Sequence, residues 1–298
     1  MMTGKNVKGG SQSMTTSLIA LPLEFQFSQS ALQDYTDCHR RFYLRYVKGQ
    51  RYPAAESDPV IEFETRMEQG TRFHDLVHQH SIGIPAALIR AALTVANQDV
   101  LLGWFDAYLD AGLRDLPPVR HAEMTLTIPL AGRRLLAKYD LIALVPGERA
   151  VIVDWKTAPK RPTRADLATR WQTIVYPHVL TLAGAHLNNG VPFTPEQITM
   201  IYWFPATPSQ PEIFHHDAAQ DASAADRLNA ITAEILARPN DENAFPLTPD
   251  ESRCRFCTYR SYCDRGSQAG NALTVSAIET TDPLAFDLDF DQIDAISF

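Results

Sequence analysis

The 298-residue chain is 45% hydrophobic and carries 27 Lys and Arg against 35 Asp and Glu, a formal net charge of −8. That apolar content fills a sizeable core and excludes a disordered or low-complexity protein. No run of 18 apolar residues occurs, which argues against a membrane span, and in a chain read as cytosolic the four cysteines are expected to stay reduced rather than form structural disulfides.

Residues 1–24 are rich in Gly, Ser, Thr and Lys without apolar period and are expected to form a disordered leader. Lys5 and Lys8 precede the apolar run Leu18 to Leu23, but Pro22 and Glu24 interrupt it and no small-residue cleavage site follows, so the chain reads as cytoplasmic. From Ser28 onward, Leu32, Tyr35, Phe42, Tyr43 and Tyr46 have helical spacing, with Ser28 or Ser30 as cap and Gly49 as stop. Glu62 to His80 and Ala86 to Leu113 read as two further helices that end before Pro117-Pro118.

Three β-type runs follow, His121 to Leu130, Arg134 to Val145 and Ala150 to Lys156, divided by the turn signals Ala131-Gly132 and Pro146-Gly147. Ala165 to Leu187 has the pattern of an amphipathic helix and Ile198 to Phe204 that of a short strand. The succession strand, helix, strand predicts a right-handed parallel crossover, hence a mixed sheet. Ala222 to Ala237 reads as a helix and Arg253 to Arg265 as a compact Cys-rich segment. Residues 266–298 form an acidic tail expected to be disordered: after Arg265 no Lys or Arg occurs, while Glu279, Asp282, Asp287, Asp289, Asp291 and Asp294 add six negative charges. Without those six the formal charge is −2, so net charge does not argue against a phosphate-binding groove.

A hairpin centred on Gly147 sets opposite one another residues whose numbers add to 294, and Asp140 and Asp154 do so. Directly opposed side chains lie about 4.5 to 5.5 Å apart at Cβ, close enough for two carboxylates to grip one divalent cation. Lys156 follows two residues later on the same face. Without a cation the two carboxylates would repel, so the pattern calls for Mg²⁺ or Mn²⁺; the bland alternative is a surface salt bridge in an ordinary hairpin. Glu123, on the preceding strand, faces the same cleft in one of its possible registers and is left outside the core set.

These residues resemble the PD-(D/E)xK nuclease superfamily, in which an Asp on one strand and Asp or Glu, any residue, Lys on the next form the active site. The resemblance implies an α/β, restriction-endonuclease-like core with a mixed central β-sheet flanked by helices, spanning residues 25–265. It assigns metal binding to Asp140, Asp154 and the main-chain carbonyl of Trp155. Lys156 would orient water or offset phosphorane charge. Gly70-Thr71-Arg72-Phe73-His74 matches a glycine, three residues, histidine motif of the RecB-like branch, whose histidine reaches the metal. Gln172 and Tyr176 match its glutamine, three residues, tyrosine motif, whose members touch the active site and the nucleic acid. The chain departs from the pattern at Ala137, where many relatives have glycine, and at His39, where proline often follows the first cysteine.

Cys254, Cys257 and Cys263 cluster near one end and Cys38 stands more than 200 residues earlier. Four thiolates make one complete set for a metal. The layout resembles the iron-sulfur nucleases of the RecB-like group, AddB-type recombination nucleases and CRISPR-associated exonucleases. It implies a [4Fe-4S] cluster in a helical, Cys-rich subdomain joining the two chain ends, with structural Zn²⁺ as the alternative. Arg40, Arg41 and Arg45 beside Cys38, with Arg253, Arg255 and Arg260 around the other three, make a candidate DNA track, to which Tyr43, Tyr46 and Tyr259 would offer stacking faces; a solvated helix face is the alternative. The expected function is a DNA exonuclease or end-processing enzyme on single-stranded or frayed ends. The competing class is an iron-sulfur scaffold within a helicase, recombination or integration complex, with the acidic tail as one contact to a protein partner.

Overall fold

The computed structural model describes residues 21–50, 58–111, 116–157 and 160–266. The acidic tail from 267 and residues 1–20 of the expected leader lie outside them. Residues 21–24 belong to the fold rather than to a leader. Leu21 is buried, and Arg133 donates from Nε to the Pro22 carbonyl and from Nη2 to the Leu21 carbonyl. Two backbone acceptors met by one guanidinium fix this stretch against the sheet.

The first elements are β1 (Gln26–Ser28), which sequence periodicity does not reveal, and α1 (Gln29–Asp37). Ser28 caps α1, its hydroxyl accepting from the Ala31 N–H at 3.2 Å. The helix breaks at Cys38, whose extended backbone separates α1 from α2 (His39–Phe42); a π-helical turn, Tyr43–Val47, follows. Gly49, at φ +56°, takes the left-handed conformation that ends it.

Three helices come next, α3 (Asp58–Ser81), α4 (Ala86–Val95) and α5 (Asp99–Asp110). The helix expected over 86–113 is thus two helices. Asn97 adopts φ +51°, its N–H reaches the Thr94 carbonyl and that of Gln98 reaches Leu93, a Schellman ending that asparagine tolerates better than most residues.

The meander β2 (Val119–Leu130), β3 (Arg133–Val145) and β4 (Arg149–Trp155) is antiparallel throughout, with turns at the left-handed Ala131, Gly132 and Gly147. The long helix expected over 165–187 divides at the extended Arg170 into α6 (Arg164–Thr169) and α7 (Trp171–Ala183), and its last residues form a 3₁₀ turn. β5 (Ile198–Trp203) pairs parallel with β4, as the crossover requires. β6 (Glu212–His215), too short for a clear alternation signal, closes the edge antiparallel to β5 before α8 (Ala218–Ala237).

The six-stranded sheet runs β1-β3-β4-β5-β6, with β2 on the remaining edge of β3. Both faces are covered. On one, Leu32 of α1, Val175 and Val179 of α7 and Leu228 and Ile235 of α8 meet Ile142, Leu144, Ile152 and Met200. On the other, Phe73 and Val77 of α3, Leu93 of α4 and Phe105 of α5 meet Leu141, Val151, Val153 and Trp203. Each such side chain contributes about 1.5–3 kcal/mol by leaving water.

Two irregularities interrupt this sheet around Asp140. β1 pairs with β3 at Arg134–Leu136 and β4 pairs with it at Leu141–Val145, both on the edge that β2 does not use. Residues 137–140 therefore lie in a gap between two ladders. In the same place the sheet changes phase: Ala137 and Tyr139 pack with α1 and α7 but Leu141 with α3 and α5, while on β2 Met124 and Ala122 divide in the same way. The switch falls at Glu123 and Asp140. Among the described residues no helix is long and apolar enough to cross a membrane.

Candidate metal centre

β3 and β4 pair as Leu141↔Val153, Ile142↔Ile152 and Val145↔Arg149, so the register expected from Gly147 is present and the next pair in line is Asp140 and Asp154. The ladder stops one pair short of them. The Trp155 N–H, instead of continuing it, donates to Asp140 Oδ2 at 2.8 Å. Asp140 thus enters the gap in the sheet with one oxygen already oriented. Both carboxylates are buried, at 9% and 3% exposure.

Four side chains converge on them. Lys156 Nζ lies 2.9 Å from Asp154 Oδ2, and Gln172, at the start of α7, donates from Nε2 to Asp154 Oδ1 at 2.5 Å. His74, one turn beyond Gly70 on α3, has Nε2 3.1 Å from the Trp155 carbonyl and Nδ1 3.3 Å from Asp140 Oδ1. The helix reaches this close because Gly70 has no side chain: a Cβ there would stand 2.7 Å from Thr157 Oγ1. The fourth is Glu123. One ligand atom each from Glu123, His74 and Asp140 lie within 4.8 Å of one another. The arithmetic that paired Asp140 with Asp154 finds it too, because β2 and β3 pair about the Ala131-Gly132 turn with numbers adding to 263, which sets Glu123 opposite Asp140.

The electrostatics are those of a site short of positive charge. Burial drives the Asp154 carboxyl up to about 7; Lys156 opposes that shift and the Asp140 charge reinforces it. Asp140 is itself buried, yet the charge and contact of His74 outweigh burial and hold it below the usual carboxylate range. Burial alone would lower His74, but the Asp140 charge, that contact and Asp154 beyond it raise it to about 9. Two buried carboxylates, an imidazole and a main-chain carbonyl are an oxygen-rich donor set suited to Mg²⁺ or Mn²⁺. In the metal-free protein, protons on Asp154 and His74 take the place of that charge. The residues fit the cation.

Other expected contacts are not where the sequence put them. Tyr176 is buried, its ring 4.8 Å from that of Tyr139 and its carbonyl accepting from the Tyr139 hydroxyl, so it offers no face to a base. Arg40, Arg41 and Arg45 turn inward. Arg40 pairs with Glu242 and donates to the Phe245 carbonyl; Arg41 bridges Asp34 at 2.8 Å and Asp37 at 3.0 Å; Arg45 reaches Asp34 at 3.3 Å. Asp34 is fully buried and needs these cations as partners. Tyr43 and Tyr259 are buried as well.

The four cysteines are half-buried and form no disulfides. The segments that carry them meet, with Arg253 on Asp37 at 3.1 Å and the Tyr259 hydroxyl donating to the Gln50 carbonyl at 2.7 Å. Burial raises the Cys254, Cys257 and Cys263 thiols, the last to about 12, and the charge of Cys38 adds to all three. No three of the sulfurs, all of them among the described residues, lie within 4.8 Å of one another.

The sequence profile of the PD-(D/E)XK nuclease superfamily matches residues 26–264. No curated protein matches the chain in sequence. Among solved structures, a proposed exonuclease from Eubacterium rectale is similar over 83% of this chain and 91% of its own, at 12% identity and a TM-score of 0.46. A second, SSO0001, is similar over 76% of this chain and 93% of its own, at 14% identity and a TM-score of 0.29. Both similarities are remote.

Proposed function

The chain belongs to the PD-(D/E)XK nuclease superfamily, and from that premise we propose that it hydrolyses DNA phosphodiesters with Mg²⁺ or Mn²⁺ held by His74, Asp140, Asp154 and the Trp155 carbonyl. The observation that carries this reading is the convergence of Asp140, Asp154, Lys156 and His74 on the gap between β1 and β4. When bound, such a cation polarises the phosphodiester and lowers the pKa of its water. Lys156, one-fifth exposed and held by Asp154, would orient the attacking water or offset the negative charge that develops on the phosphorane oxygens. Gln172 acts through Asp154, whose Oδ1 it fixes, and so serves as a positioning residue rather than a substrate contact.

For the substrate we favour single-stranded or frayed DNA ends, cut as an exonuclease. With the arginines beside Cys38 committed inward, candidate basic groups are Lys160 and Arg164, both exposed and a few residues beyond Lys156 in the chain, Arg164 also reaching Glu212 at 3.3 Å. They suit sequence-independent phosphate contact. We place the chain in the RecB-like iron-sulfur branch on the order of its motifs and on the meeting of its two cysteine-bearing segments. Thiolate chemistry alone does not separate zinc from a [4Fe-4S] cluster; the motif order is what favours the cluster. Bound, it would join the chain ends as a structural staple.

The test is Mn²⁺-dependent digestion of end-labelled single strands by the full chain, beside Asp154→Ala and Lys156→Ala. Loss of digestion in both variants is expected. Equal digestion by all three proteins would sink the assignment.

A further inference from the structure

Asp154, Tyr202 and Glu212 stand in one row across β4, β5 and β6, in the pairs Asp154↔Tyr202 and Tyr202↔Glu212. Neighbouring strands lie about 4.8 Å apart, so the row carries Glu212 roughly 10 Å from Asp154, out to the edge of the sheet. The row faces α7, whose Gln172 meets Asp154 and whose Thr173 meets the Tyr202 hydroxyl. Lys156 lays its ammonium 5.8 Å from the centre of the Tyr202 ring, the middle residue of the row.

At its outer end Glu212 holds two arginines. Arg161 Nη2 lies 2.6 Å from Oε1 and Arg164 Nη1 3.3 Å from Oε2, and Arg161 also donates from Nη1 to Gln210 Oε1 at 3.2 Å. Among the described residues no second carboxylate bridges either of them. Arg41 and Arg45, by contrast, divide Asp34 and Asp37 between them. Two guanidiniums against one carboxylate leave one positive charge in excess. Each also rests on an aromatic ring, Arg161 5.1 Å from the centre of Phe204 and Arg164 4.3 Å from that of Phe214, which sets the planes of both forks. The two side chains are 25% and 57% exposed, so a ligand can reach them from solvent.

We propose that Arg161 and Arg164 form a phosphate seat at the β6 edge, which takes the DNA strand about three nucleotides from the bond being cut, at ~3.4 Å per stacked nucleotide. Glu212, Phe204 and Phe214 are positioning residues that hold the two forks ready. The paired oxygens of a phosphate match a guanidinium fork, and such a contact fixes the register of a strand without reading its bases. The strand then runs from the carboxylates past Lys156 and leaves over β5 and β6. The proposal rests on reading the carboxylates as a DNA-cleaving centre and adds the direction in which the substrate is held.

The test uses the full chain and single-stranded DNA. Binding is followed by fluorescence anisotropy over a salt series, and cleavage with Mn²⁺ on strands that carry one neutral methylphosphonate linkage at successive positions. Arg161→Gln combined with Arg164→Gln should weaken binding at least ~10-fold and flatten the plot of log affinity against log salt by about 1.4, near 0.7 for each lost contact. Arg161→Lys combined with Arg164→Lys keeps both charges and should keep the slope, with folding of each variant checked by thermal melting. In the parent a neutral linkage roughly three nucleotides from the cut should slow cleavage at least ~3-fold, and in the glutamine variant it should add nothing to the loss already present. A glutamine variant with the affinity and slope of the parent overturns the seat, as does one that the neutral linkage slows as much as it slows the parent. A parent that binds no DNA overturns the nuclease reading itself, so the two failures are told apart.

Discussion

Gly70 and Thr157 approach so closely that a single methyl on the glycine would lie 2.7 Å from the threonine Oγ1. This contact sets the depth at which α3 meets the end of β4, and with it the distance from His74 to the Trp155 carbonyl.

Gly70→Ala should therefore lower Mn²⁺ affinity and cleavage about tenfold, although alanine favours a helix interior by about 1 kcal/mol. Thr157→Ala added to it removes the obstructing oxygen and should restore most of the loss. A double variant as impaired as Gly70→Ala would show that the contact does not control the site.

Gln172→Ala leaves Asp154 Oδ1 buried without its donor. A carboxylate that loses a hydrogen bond is harder to ionise, so the alkaline shift should appear as a cleavage–pH profile displaced upward. Asparagine at the same position is too short to reach and should behave like alanine. An unmoved profile with a uniformly lower rate would assign Gln172 to the fold alone.

The pH dependence arises from His74 and Asp154. Both have folded-state pKa values above their ordinary ones, about 9 against 6.5 and about 7 against 3.8. In the metal-free protein, each contributes stability that is complete below the ordinary value and lost as pH rises through the raised one. Thermal stability without metal should thus decline between about pH 4 and 9. Metal binding needs both protons gone, so Mn²⁺ affinity should climb between pH 6 and 9, by up to about tenfold per unit for each proton released. Affinity independent of pH across that window would exclude both groups as ligands.

Arg41→Gln should destabilise the fold by about 3 kcal/mol, because it leaves the buried Asp34 with fewer cationic partners. Binding of single-stranded DNA, measured where the variant is still folded, should be unaffected. A large loss of affinity at intact stability would return Arg41 to the nucleic-acid interface.

Cys257→Ser should lower bound iron and the melting temperature together, while Mn²⁺ binding at the carboxylates persists. Zinc in place of iron on elemental analysis of the parent would reverse the choice of metal, and a variant as iron-rich and as stable as the parent would remove the staple.

Parts of the site were legible because tight turns convert residue numbers into geometry. Gly147 fixed the register that brings Asp140 and Asp154 into line one step beyond the ladder, and the same arithmetic about Ala131-Gly132 sets Glu123 opposite Asp140, although its register looked open on sequence. The fold was legible where periods are long, as in the meander and its crossover, and illegible where three or four residues make a strand, as in β1 and β6. Asn97 carried its helix-ending role in a single backbone angle. The arginines beside Cys38 misled for a different reason: charge in a sequence does not reveal its partner, and Asp34 and Glu242 claim these side chains only once the chain is folded.

Phe245 stacks on Tyr43 at 4.8 Å, is fully buried, and offers its carbonyl to Arg40. Some 200 residues of chain separate these partners, so the layer around α1 and α2 stays open while the polypeptide is being made. Tyr35, Phe42 and Tyr43 have to wait, wet and adhesive, until the ribosome delivers the segment that covers them. A nascent chain can assemble its carboxylates before this face closes, which makes the interval until Phe245 emerges a vulnerable one.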